Sequence, residues 1–66
     1  MSIVYAVERY SEANELYLQY TSDNLETAKQ RFETLKQYTG KNERLRLITL
    51  DKKDNTEEEL LVEHRG

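Results

Sequence analysis

His64, the run Glu57-Glu58-Glu59, Ser11, Ser22 and five tyrosines are the side chains whose types allow chemistry or recognition here. A lone histidine works as a general base when a packed neighbour orients it, and His64 lies near the end of the sequence, where chains fray. With no cysteine and no second histidine, it would have to hold a metal with carboxylates alone, so a plain exposed side chain is expected. The glutamate run offers a carboxylate row to a cation or a basic partner, but such rows are more often solvated faces. Ser11 and Ser22 have no base or oxyanion motif beside them. Gly40 and Gly66 stand alone, which excludes a glycine-rich phosphate cradle of the P-loop kind. The expectation is no catalytic, metal or cofactor site, and a protein that binds and does not catalyse.

Three kinds of element must position these residues. Asp23 with Glu26 reads as a capping pair, and Leu25, Ala28, Phe32, Leu35 and Thr39 then form one apolar stripe, which predicts a helix over 23–39. Gly40 is placed to end it in the left-handed conformation. The stripe has only three large residues, so the helix needs a wide platform, and a sheet supplies one. Upstream, 3–10 and 15–21 read as strands joined by a short polar turn in which Asn14 takes a positive φ. Downstream, 44–50 reads as a strand with Leu45 and Leu47 on one face and both arginines on the other. Residues 51–56 read as a loop and 59–64 as a last strand; Thr56-Glu57-Glu58-Glu59 also has the form of a capping box, which would make 57–64 a short helix. The fold class expected is α+β, a two-layer β-β-α-β-β domain over 1–66 with one helix on one face of an antiparallel sheet.

Four of the five tyrosines fall in the first hairpin. If Leu16 and Leu18 turn toward the helix with Ile3, Tyr5 and Val7, the opposite face carries Tyr10, Tyr17, Arg44, Arg46 and Ile48, with Val4 and Ala6 near them. Aromatic, aliphatic and arginine side chains together are the composition enriched in binding surfaces. Those five residues are the interaction face predicted from the sequence.

Composition bounds what could bind there. A chain of 66 residues buries only about 60% of its unfolded surface, leaving a thin core and no room for a deep cleft. Charged residues make up 35%, and thirteen acids against ten bases give a net charge of −3, which disfavours phosphate. No apolar run suggests a signal peptide or a transmembrane span, so the cytoplasm is expected and no membrane. The leading expectation is a non-enzymatic protein-interaction module, self-associating as a homodimer through the open sheet face or an edge strand. Single-stranded nucleic-acid binding by Tyr10, Tyr17, Arg44 and Arg46 is one alternative. An acidic inhibitor of a nucleic-acid-binding enzyme, presenting its glutamates as a phosphate mimic, is the other.

Overall fold

Two asparagine turns and one capped helix organise the chain. The computed structural model describes residues 3–66, the side chain of Glu58 excepted. β1 (Ile3–Tyr10) and β2 (Leu16–Ser22) form one hairpin, α1 (Leu25–Lys36) follows, and β3 (Arg44–Asp51) and β4 (Thr56–Arg65) form the second. All four strands make one antiparallel sheet in the order β2-β1-β3-β4, and α1 packs on β1, β2 and β3. The protein is thus α+β, a helix on an antiparallel sheet. Asn14 at φ 66° and Asn55 at φ 55° turn the two hairpins through the left-handed region that asparagine tolerates. Among the described residues no helix is long and apolar enough to cross a membrane.

The helix is shorter than its stripe implied, and both ends differ from expectation. Asn24, not Asp23, is the N-cap: its Oδ1 accepts from the Thr27 N–H at 3.1 Å. At the other end no glycine has a positive φ, so Gly40 is not a left-handed cap. The chain leaves through tightened turns, in which the Tyr38 N–H donates to Leu35 O and the Thr39 N–H to Lys36 O. The Thr39 hydroxyl also donates to Leu35 O, so the last carbonyls are satisfied without a left-handed residue. Gly40 is needed for close approach instead. Its N–H donates to Glu43 Oε1 at 2.6 Å, and a Cβ there would stand 3.0 Å from that oxygen.

Residues 56–65 are strand throughout, so the alternative of a helix over 57–64 does not hold. Pairing gives the backbone groups of β4 that face β3 their partners. His64 sits in this ladder opposite Leu45 and is half-buried, not frayed. The Gly66 N–H, donating to Glu43 O at 3.0 Å, pins the end of the strand.

Two apolar clusters lie on opposite faces of the sheet. Under the helix, Val7, Leu45 and Leu47 pack with Ala28 and Phe32, and Tyr5, Tyr20 and Leu35 close around them. Ile3, Leu16 and Leu18, expected in this core, are exposed. Val4, Ala6, Ile48 and Leu50 form the second cluster, and none is more than 7% exposed. They occupy the two central strands, where Gln19 and Thr21 of β2 and Glu57 and Leu60 of β4 flank them. The face opposite the helix is therefore not an open apolar surface.

Candidate interaction surface

Of the five residues predicted to form an interaction face, the fold brings three together, buries one and turns one away. Tyr10, Arg44 and Arg46 share the face opposite the helix. The Arg44 guanidinium stands 4.8 Å and that of Arg46 5.9 Å from the Tyr10 ring centroid. Tyr10 Oη donates to Glu8 at 2.9 Å, and Gln19 Nε2 donates to the other oxygen of that carboxylate at 3.0 Å. Arg46 donates to Glu57 at 2.6 Å and lies 3.9 Å from Glu8, while Glu63 takes Arg44 at 3.7 Å and Arg65 at 3.1 Å. Arg44 also donates to Asn14 Oδ1 in the first hairpin turn.

Burial explains why this band is so densely partnered. Glu8 is only 6% exposed, and an ionised carboxylate there must be matched by donors and a positive charge. Three carboxylates meet three guanidiniums, so the band neutralises itself. Burial and the hydrogen bond to Glu8 both push the Tyr10 hydroxyl above its ordinary pKa. Ile48, at 1% exposed, lies in the buried cluster beside this band and presents nothing to a partner.

Tyr17 is on the other side. β1 and β2 slip register between Arg9 and Tyr10, and Tyr17 is the extra residue of the resulting bulge. Its ring stacks 5.2 Å from the Arg9 guanidinium, and its hydroxyl donates to Glu43 Oε2 at 2.7 Å. Arg9 completes the cluster by donating to Glu43 at 2.9 Å and to Tyr38 O. These bonds, with the Gly40 N–H, hold the Glu43 carboxyl down to about 2. Lost solvation and the bond to Glu43 push the Tyr17 hydroxyl up.

What remains exposed are the two sheet edges, and they are unlike. β4 carries Glu57, Glu59, Glu63 and Arg65 and slips register twice against β3, both of which discourage a further strand. β2, Leu-Tyr-Leu-Gln-Tyr-Thr-Ser, has no charged side chain, and Leu16, Tyr17, Leu18, Gln19 and Thr21 are all exposed. On its helix side lies a depression of about 320 Å³ lined by Tyr20, Thr27, Gln30, Arg31 and Thr34, with Arg31 stacked 4.6 Å over Tyr20. Reasoning from the sequence assigned Leu16 and Leu18 to the core and so missed this edge. Its signal, seven consecutive uncharged residues in a chain that is 35% charged, was present.

Among the described residues, no group of three or more His, Asp and Glu side chains is gathered as a metal site would require. Comparison with known protein families, with characterised proteins and with solved structures gives no match.

Proposed function

We propose that this protein is a non-enzymatic protein-interaction module that takes up an extended segment of a partner by strand addition at β2. The observation that carries this reading is an outer strand of seven residues with no charge and five exposed side chains. An edge strand presents a row of backbone N–H and C=O groups without partners, and natural proteins normally defend such rows with charge, proline or bulges. β2 carries a bulge only near its first residue, at Tyr17. Undefended edges are the substrate of strand addition, in which backbone bonds give affinity and alternate side-chain contacts give selectivity. A segment of another protein and a second copy of this chain would make the same backbone bonds, so the homodimer expected from the sequence is one form of this activity.

The face opposite the helix supports binding less well. Two guanidiniums already stand against the Tyr10 ring, where they compete with a nucleic-acid base, and the arginines are matched by carboxylates. A phosphate would have to displace those carboxylates.

Backbone amide shifts test the reading. A short uncharged peptide rich in valine and threonine, titrated into the labelled protein, should perturb amides of Leu16–Ser22 first. Leu18→Lys, which places a charge on an exposed edge position, should abolish those shifts and leave the fold intact by circular dichroism. Shifts centred on Tyr10, Arg44 and Arg46 would return the function to the face opposite the helix.

A further inference from the structure

The ends of β2 say what kind of strand belongs beside it. Glu15 immediately precedes the strand and Asp23 immediately follows it; both are exposed, and neither is in an ion pair among the described residues. Glu12, in the turn beside Glu15, is also exposed and without a cation. Six other acids are matched, Glu26 with Lys29, Glu33 with Lys36, and Glu8, Glu43, Glu57 and Glu63 with arginines, while Asp54 and Glu59 on the second hairpin are exposed and outside these pairs. An uncharged edge thus lies between two unmatched negative ends.

We infer that the occupant of β2 is an extended peptide segment with an uncharged, β-prone centre and a Lys or Arg at each end of it. This rests on the strand-addition reading above and adds the chemistry of the partner. With about 3.3 Å per residue, Glu15 and Asp23 are roughly 25 Å apart along the strand, so the two basic residues must bracket about seven residues of partner. Because both ends of β2 are acidic, the basic flanks match whether the segment runs parallel or antiparallel. Strand addition also puts every second partner side chain on the helix side, where the depression beside Tyr20 is lined by Thr27, Gln30, Arg31 and Thr34. That lining of hydroxyl, amide and guanidinium groups suits a small polar residue such as threonine at the centre of the segment.

The same charges disfavour a second copy. Two antiparallel β2 strands related by a two-fold axis keep both helices on one side of the joined sheet. Centred on Gln19, this arrangement sets Leu18 against Tyr20 of the copy, and it also sets Glu15 against Asp23 at both ends. Like charges directly opposite one another destabilise strand pairs. A basic-flanked segment replaces both repulsions with attractions.

Two synthetic peptides decide the matter, Lys-Lys-Val-Thr-Val-Thr-Val-Thr-Val-Lys-Lys and the same sequence with glutamate in place of each lysine. Titrated at low salt with β2 amide shifts as the readout, the lysine peptide should bind about tenfold more tightly, two charge reversals at partly solvated ends being worth roughly that factor. The preference should shrink in about 0.5 M salt, where exposed charges are screened. In the double variant Glu15→Lys with Asp23→Lys, checked for fold by circular dichroism, it should reverse. Equal affinities at low salt would overturn the inference while leaving strand addition standing. If neither peptide shifts the β2 amides, strand addition itself is wrong and the inference falls with it. Sedimentation showing a tight dimer that the lysine peptide cannot dissociate would overturn the inference in favour of a second copy.

Discussion

Tyr17 donates its hydroxyl to Glu43 at 2.7 Å, and this bond ties the bulged residue of β2 to the residue just before β3. Arg9 and the Gly40 N–H grip the same carboxylate, so Glu43 joins β1, β2 and the segment after the helix. Its carboxyl is held at about 2, against an ordinary 4.5. Since the folded value lies below the unfolded one, the ionised group stabilises the fold above about pH 4.5 and loses that contribution as the pH falls toward 2. Urea unfolding of wild type and Glu43→Gln should therefore differ most above pH 4.5 and converge near pH 2. A gap that does not vary with pH would mean that the carboxylate charge is not what these bonds use.

Gly40→Ala should destabilise by about 1 kcal/mol, because the added methyl crowds a carboxylate that three donors hold in place. The cause is contact and not backbone strain, since φ at Gly40 is not positive. In a Glu43→Ala background the same change should cost nothing, or gain about 0.5 kcal/mol from reduced freedom of the unfolded chain. A double-mutant cycle measures the difference, and additivity would remove the contact explanation.

Phe32 is 3% exposed at the centre of the helix–sheet core, and Phe32→Ala should cost about 3–5 kcal/mol. Leu18→Ala, by contrast, should change stability by no more than about 0.5 kcal/mol, being an exposed edge position. Denaturant midpoints separate the two. A loss at Leu18 as large as that at Phe32 would make β2 a core strand on both flanks.

Arg46→Ala should destabilise by about 3 kcal/mol, since it strips the buried Glu8 of its nearest cation and leaves Glu57 unmatched. Arg44→Ala, whose ion pair with Glu63 is long at 3.7 Å, should cost less than about 1 kcal/mol. Spectroscopic titration adds a second check. In Glu8→Gln the Tyr10 hydroxyl should titrate at lower pH than in wild type, because one of the groups raising it has lost its charge. An unchanged tyrosine titration would show that Glu8 does not act on Tyr10.

Local pattern made much of this fold legible in the sequence. The period of Leu25, Ala28, Phe32 and Leu35, the alternation of β1 and β3, and Asn14 at the first hairpin each express a preference of neighbouring residues. What was not legible depends on a single inserted residue or on partners far along the chain. The bulge at Tyr17 breaks the alternation at the start of β2 alone, so an uninterrupted alternation put Tyr17 beside Tyr10 and Leu16 beneath the helix. Gly40 looks like a helix terminator until Glu43 is seen to occupy the space a side chain would need. Arg44 and Arg46 look like free cations until Glu57 and Glu63 arrive from β4.

The seam between the two hairpins is β1 against β3, with Ile3 opposite Asp51 and Tyr10 opposite Arg44. A two-stranded hairpin alone is marginal in water, and this seam closes only after the chain has passed through β2 and α1. Both apolar clusters and the Glu8–Arg46 pair straddle it. Melting either hairpin by itself would break that seam, so unfolding is expected to be all-or-none across the sheet. A strand bound along β2 would then protect amides as distant as those of β4 from exchange by whole-molecule opening, because every such opening would first have to release the ligand.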